Sequence, residues 1–105
     1  MNEIELRGTD LRYALTLFLA QHGPHTIPQL IDALEHQGFS IAGRSSKTIS
    51  DALRWERNYG RVRRMKRGRY GPGSMPRSTE YRIHKRVMEL RRETTGTDLI
   101  FDRWR

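Results

Sequence analysis

Apolar residues recur at helical spacing in four stretches of this chain, and short polar or glycine-containing segments separate them. The first stretch predicts a helix from Leu11 to about His22, which Gly23-Pro24 ends. We expect Thr9 or Asp10 to cap its start. Because apolar residues cover most of its circumference, this helix is predicted to lie at the centre of the core or to contact a second subunit.

The second helical stretch carries its own start signal. Thr26 and Gln29 have the spacing of a capping box, in which the threonine hydroxyl accepts the N–H of the third residue on and the glutamine reaches back. Pro28 fits the first turn, where a backbone N–H has no helical partner. Gly38 closes this helix, and 39–41 then reads as a short strand. We expect that strand to pair with the hairpin predicted further along the chain.

The third predicted helix, 45–58, has two unlike faces and begins at Ser45 or Ser46, either of which can cap it. At roughly 100° per residue, one arc is mostly apolar: Ile49, Ala52, Leu53 and Glu56. The opposite arc is polar: Lys47, Ser50, Asp51, Arg54 and Asn58. A β-hairpin follows over 61–70, with a tight connection at 66–68 in which Gly68 suits a positive φ.

A fourth helix is predicted from about 76–78 to Glu93, with one apolar face that can close the core. Its second face, together with the apolar residues of the C-terminal tail, is predicted to form a dimer interface: Tyr81, Met88, Leu99, Ile100, Phe101 and Trp104. Apolar side chains at this density are seldom left in water. They dock either on a second subunit, which we expect, or on the same chain.

This order of elements is that of a winged helix-turn-helix, in which a hairpin called the wing follows a DNA-recognition helix. The predicted class is therefore mainly α with a small β-hairpin, divided into an N-terminal arm or short strand (1–9), a winged helix-turn-helix (10–73) and a C-terminal helix with its tail (74–105). The strand before helix three, Lys47-Thr-Ile-Ser50, and Val62-Arg-Arg with Gly68-Arg-Tyr70 resemble the HARE-HTH family. That resemblance covers about Asp10 to Gly73. It implies DNA binding or association with DNA-acting complexes, and no enzymatic activity.

The distribution of charge changes this picture more than its total. The net charge is +8 and the pI about 10.8, which favours a polyanionic partner. Residues 61–69 hold six of the twenty basic side chains and no acidic one, so the rest of the chain has fourteen basic against twelve acidic residues. Positive charge is therefore concentrated on the predicted wing.

These patterns predict a DNA-binding transcriptional regulator or nucleoid-associated protein. The predicted contacts to double-stranded DNA are polar and basic residues of helix three and the hairpin: Ser46, Lys47, Ser50, Asp51, Arg54, Asn58, Arg61, Arg63, Arg64, Lys66, Arg67 and Arg69. Arg54 is the leading candidate for a base contact, because a guanidinium pairs bidentately with guanine. Asp51 either accepts from cytosine or orients Arg54 or Lys47. The hairpin residues suit phosphates or the minor groove.

One alternative remains open from the residues alone. The same fold could serve as an interaction module that docks on RNA polymerase, on an RNA or on another protein, and the arginine cluster could bind RNA or an acidic protein. Arg44-Ser45-Ser46 also has the composition of a phosphorylation site, at which a phosphate would repel DNA.

Several other classes find little support in the sequence. There is no cysteine, and the HxxH spacing of His22 and His25 is interrupted by Gly23-Pro24, so no metal site is predicted. No catalytic triad, phosphate loop or dinucleotide motif is present, and we predict neither an enzyme nor a cofactor or small-molecule substrate. The N-terminal residues do not resemble a signal peptide and no apolar run is long enough to span a membrane. We expect a cytoplasmic, nucleoid-associated protein.

Overall fold

The computed structural model describes residues 3–95, and four helices make up most of that part of the chain. The elements in chain order are β1 (Ile4–Leu6), α1 (Gly8–His22), β2 (His25–Thr26), α2 (Ile27–His36), β3 (Phe39–Ile41), α3 (Ser45–Asn58), β4 (Val62–Arg64), β5 (Arg69–Pro72) and α4 (Arg77–Thr95). A tight turn at Lys66–Gly68 joins β4 to β5. The predicted class, mainly helical with a small β-hairpin, is confirmed.

Helix α1 lies at the centre of the core, as its apolar circumference predicted. Leu11, Leu15 and Leu19 are fully buried along it, and Leu17 on its far side is also buried. Helices α3 and α4 both pack on α1. From α4, Ile83, Val87 and Leu90 close this core, as the apolar face of the fourth helix predicted.

Of the three helix caps predicted from the local sequence, the one at α2 is present in the structure and those at α1 and α3 are not. The predicted capping box of α2 is confirmed, with the Gln29 N–H donating to Thr26 Oγ1 at 3.3 Å and the Thr26 N–H donating to Gln29 Oε1 at 2.9 Å. The predicted cap of α1 is wrong: the helix begins at Gly8, so Thr9 and Asp10 lie inside its first turn. Asp10 instead receives two hydrogen bonds from Arg86 of α4, at 3.0 and 3.2 Å.

The predicted serine cap of α3 is also wrong. Ser45 is already the first helical residue, and the capping position belongs to Arg44, whose side chain makes no capping hydrogen bond. A threonine in the first turn makes a different side-chain hydrogen bond, in which Thr48 Oγ1 donates to the carbonyl oxygen of Ala42 at 2.9 Å. This bond joins the helix to the loop before it.

Two small sheets connect the helices, and the second of them holds the hairpin. Strand β1 pairs in parallel with β3, which places Leu6 opposite Ile41. The other sheet is antiparallel, in the order β2-β5-β4. The expectation that 39–41 pairs with the hairpin was therefore wrong. The free edge of β5 is taken by His25 and Thr26, and the N-terminal residues that could have been an arm form the partner of β3.

The base of the hairpin is closed by a backbone contact that tolerates no side chain. The Gly73 N–H donates to the carbonyl oxygen of Arg61 and the Ser74 N–H to that of Gly60, each at 2.9 Å. A Cβ at Gly73 would overlap the carbonyl oxygen of Gly60 and lie 2.9 Å from the carbonyl carbon of Arg61. Backbone atoms cannot move aside as a flexible side chain can, so glycine is required at this position.

This contact predicts the effect of Gly73→Ala on stability. The variant should lose about 3 kcal/mol of unfolding free energy, the upper end of the usual overpacking range. Gly60→Ala is the matched control, because a Cβ there meets no atom within 4 Å and only the positive φ of 78° opposes it. That control should lose about 1 kcal/mol. Urea unfolding of both variants measures the difference, and equal losses would contradict the steric explanation.

Candidate nucleic-acid interface

The outer face of α3 presents two exposed cations with a carboxylate between them. The side chains of Lys47 and Arg54 are 67% and 68% exposed. Lys47 Nζ lies 3.2 Å from Asp51 Oδ2, and an Arg54 guanidinium nitrogen lies 3.9 Å from Asp51 Oδ1. Of the two roles that the sequence left open for Asp51, the geometry favours orientation of its neighbours, since its carboxylate already faces both cations.

The other candidates on this helix differ in exposure. Ser46 and Asn58 are exposed, and Ser50 is half-buried. Asn58 is the last residue of α3, at the end nearest the hairpin. The arc that was predicted from helical periodicity is therefore solvent-facing, while Ile49, Ala52, Leu53 and Glu56 on the opposite arc are buried.

The hairpin carries a cluster of exposed cations, here called the hairpin cations: Arg63, Arg64, Lys66, Arg67 and Arg69. Within residues 3–95, none of these five forms an ion pair with an acidic side chain. They line a cleft of about 410 Å³ together with Pro24 and Met65. Val62 and Tyr70 point inward and are buried, as predicted, so the hairpin packs on the core through two apolar side chains while its charges face solvent.

The tip of the hairpin places an arginine in a backbone conformation that usually belongs to glycine or asparagine. Arg67 has φ 62° and ψ 37°, and Gly68 follows with φ 72°. The Arg69 N–H donates to the carbonyl oxygen of Lys66, so these residues form a tight turn of type I′ character. The positive φ predicted for Gly68 is confirmed. A left-handed conformation costs a residue with a Cβ about 1 kcal/mol, so the turn holds Arg67 against a small conformational penalty.

Arg61, which the sequence grouped with the hairpin cations, is held inside the protein. Its side chain is only 13% exposed. Nε donates to Glu56 Oε1 at 2.7 Å and a terminal nitrogen donates to Oε2 at 2.9 Å, which is a bidentate pair. The guanidinium therefore faces Glu56, and Arg61 is not one of the exposed hairpin cations.

Glu56 is the buried centre of a charged network that joins α1, α3 and the start of the hairpin. It is 0% exposed. Besides Arg61, its carboxylate accepts from Arg12 Nε at 3.2 Å and from Thr16 Oγ1 at 2.7 Å. Burial raises the pKa of Glu56, but the hydrogen bonds from Arg61 and Thr16 and the charges of Arg61 and Arg12 outweigh it, so its pKa lies below the ordinary value of 4.5. One indication of this network was present in the sequence, because Glu56 is an acidic residue on an otherwise apolar arc of the third predicted helix.

Two aromatic side chains next to this network are exposed, and periodicity alone did not single them out. Trp55 is 54% and Tyr59 56% exposed. The guanidinium of Arg12 lies 5.4 Å from the ring centroid of Trp55, and that of Arg61 lies 4.4 Å from the ring centroid of Tyr59. The spacing of these aromatics, four residues apart on a helix, was the available signal.

The residues predicted for a dimer interface are only partly within the described chain. Tyr81 is 67% exposed on α4. Met88 is half-buried and packs against the core. Leu99, Ile100, Phe101 and Trp104 lie outside the described residues. The homodimer therefore stays a prediction.

Two of the histidines considered as metal ligands make other contacts. The rings of His22 and His25 lie 4.5 and 4.9 Å from the ring of Phe18, and His25 Nδ1 is 2.9 Å from the carbonyl oxygen of Gly23. In the described part of the chain, no three acidic or histidine side chains are grouped so that they could hold a metal ion. No helix in that part is long and apolar enough to cross a membrane.

Comparison with known proteins assigns no family. Neither protein-family models, nor curated proteins, nor solved structures include a match to this chain. The resemblance to HARE-HTH proteins stays a prediction, and the function has to be argued from the residues themselves.

The buried network predicts how stability depends on pH. Because the folded pKa of Glu56 is below its unfolded value, the stabilisation is complete above the unfolded pKa and is lost as pH falls through the folded pKa. Glu56→Gln should cost about 3 kcal/mol at neutral pH, since Arg61 and Arg12 lose their counter-charge. It should also make stability less dependent on pH between about pH 5 and about pH 2.

Urea unfolding across this pH range measures the effect. The matched control is Glu89→Gln, which removes the partner of Arg86 on the surface of α4 and should cost less than about 1 kcal/mol. A Glu56→Gln protein that remains as sensitive to acid as the parent chain would show that other carboxylates cause the acid response.

Proposed function

We propose that this protein binds double-stranded DNA as a winged helix-turn-helix, with the outer arc of α3 in the major groove and the β4–β5 hairpin as the wing. The observation that carries the proposal is the cluster of hairpin cations without acidic partners in residues 3–95. Elsewhere in that range Arg7, Arg12, Arg61 and Arg86 contact carboxylates, and the cations without an ion pair are more widely spaced than the five between 63 and 69. A dense array of one sign is unfavourable in the free protein and is relieved by a polyanion.

The position of the hairpin relative to α3 supports the same proposal. The bidentate pair between Glu56 and Arg61 joins the last turns of α3 to the residue that precedes β4. The helix and the hairpin are therefore held as one unit, so that both can contact one duplex without an added ordering cost.

The two elements have different chemical roles in this proposal. The hairpin cations neutralise phosphates, or enter a narrow minor groove, and position the protein without reading sequence. Lys47 and Arg54, aligned by Asp51, reach base edges in the major groove. Ser46, Ser50 and Asn58 supply shorter polar contacts on the same face.

The wider role that follows is transcriptional regulation or organisation of the nucleoid, with no catalytic step and no cofactor. A homodimer would place two such units on a two-fold site. The competing role is an interaction module that docks on RNA polymerase, an RNA or another protein, and the DNA measurements that follow separate it from the proposed one.

The first measurement is the salt dependence of binding to random duplex DNA. If the five hairpin cations each neutralise a phosphate, log K should fall against log salt with a slope of about −4.5, at about −0.9 per contact. Arg67→Ala with Arg69→Ala should make this slope shallower by about 1.8 and weaken binding to all sequences alike. Alanine retains a Cβ, so the strain at position 67 is unchanged.

Removing two arginines from α4, Arg77→Ala with Arg91→Ala, is the matched control for the lost charge. It should change the slope much less, because those residues lie on another element. A slope near zero for the parent chain, or no binding at low salt, would reject duplex binding and favour the interaction module.

The second measurement tests base reading by α3. Arg54→Ala should cost about 1–3 kcal/mol on a preferred site selected from random oligonucleotides and relax selectivity at one base pair. Arg91→Ala is the single-charge control. If Arg54→Ala weakens preferred and random DNA equally, the helix contacts only the backbone and the role is architectural.

A further inference from the structure

Trp55 on α3 and Tyr59, the residue that directly follows α3, form an exposed aromatic surface that duplex binding by the proposed arc does not use. Each is more than half exposed, although large aromatic side chains are ordinarily mostly buried. At about 100° per residue, Trp55 lies on the side of the helix between Asp51 and buried Ala52, beside α1. The rings therefore flank the face that carries Lys47 and Arg54.

The buried network holds the groups that support both rings. Arg12 lies by Trp55 and Arg61 by Tyr59, and both guanidinium groups are hydrogen-bonded to Glu56. Although an arginine lies against each ring, Trp55 and Tyr59 are each more than half exposed, so a large part of each ring remains open to solvent. Near the rings, Arg12 and Arg61 face Glu56, and Lys47 and Arg54 face Asp51 on the side next to Trp55, so these charges sum to a positive value. The surface is thus aromatic, partly preorganised and cationic.

The accessibility of the base faces distinguishes two kinds of nucleic acid. In a duplex each base is stacked between its neighbours, so its faces are closed to a protein side chain unless the base is taken out of the stack. An unpaired strand can turn its bases outward and stack them on aromatic side chains. A cleft of about 220 Å³ lies beside Trp55, and its other lining residues are Gly8, Leu11, Arg12, Thr48, Asp51 and Ala52.

We propose that Trp55 and Tyr59 are a stacking platform for the unpaired bases of a single-stranded nucleic acid. Stacking on aromatic rings, combined with cations for the phosphates, is the usual basis of sequence-tolerant single-strand binding. The platform does not depend on duplex binding by α3 and the hairpin.

Trp55 itself can report on the interaction. The chain has two tryptophans, so Trp104→Phe leaves Trp55 as the sole one. In that background, a thymidine oligonucleotide should quench Trp55 fluorescence, whereas a hairpin duplex with the same number of phosphates should quench it much less. A uridine oligonucleotide tested in parallel distinguishes DNA from RNA, and quenching by either strand supports the platform.

Substitutions at the rings complete the test. Trp55→Leu and Tyr59→Leu should each weaken binding of the thymidine oligonucleotide by about 5- to 150-fold while duplex affinity changes by less than about twofold. Trp55→Phe retains an aromatic face and should recover most of the affinity. Circular dichroism checks that each variant is folded.

Three outcomes would overturn the platform. The first is unchanged Trp55 fluorescence with either oligonucleotide, and the second is an equal loss of single-strand and duplex affinity in Trp55→Leu. The third is quenching by poly-glutamate but not by oligonucleotides, which would assign the surface to an acidic protein. The salt slope of duplex binding is a separate measurement, so failure of the platform and failure of the proposed function can be distinguished.

Discussion

The relative positions of α1, α3 and the hairpin depend on one buried carboxylate, that of Glu56. Glu56 has no exposed surface, and a buried ion is tolerated only when partners satisfy it. Arg12 and Thr16 satisfy it from α1, and Arg61 satisfies it from the residue before the hairpin. Because a bidentate pair fixes direction as well as distance, it orients the hairpin on the end of α3. The same carboxylate accepts hydrogen bonds from the arginines that lie against Trp55 and Tyr59. The hairpin and the two exposed rings are therefore all connected to Glu56.

Within residues 3–95, the paired arginines and the hairpin cations differ in what their charges face. Arg12 and Arg86 pair with carboxylates on helices distant in sequence, and Arg61 pairs with Glu56 five residues before it. The hairpin cations instead face solvent, on β4, β5 and the turn between them. The tip adds Arg67 in a left-handed conformation, where asparagine or glycine would be favoured. Such a penalty is small beside the several phosphate contacts that a cationic tip can make.

Features that depend on neighbouring residues were predictable, and features that depend on distant ones were not. The capping box at Thr26 and the turn at Gly68 each need only a few consecutive residues, and both predictions were confirmed. The caps predicted at Thr9 or Asp10 and at Ser45 or Ser46 were wrong, because these residues lie inside the first turns of α1 and α3, and neither helix has a side-chain cap. Arg86 binds Asp10 from 76 residues away, and Thr48 ties α3 to the preceding loop. The partner of β3 was likewise unpredictable, since short strands carry almost no pairing information.

The sequence by itself determined the order of the helices, the buried and exposed arcs of α3, and the concentration of cations in the hairpin. Those properties follow from periodicity and composition, which are local. Only the tertiary structure decided which cations are available, since Arg61 differs from Arg63 in sequence by nothing but position. Glu56 lies within reach of Arg61 and not of Arg63, because Arg61 is next to the end of α3 while β4 carries Arg63 outward. The exposure of Trp55 is likewise a property of the tertiary structure, in which its ring lies beside Arg12 of α1 and is still more than half exposed.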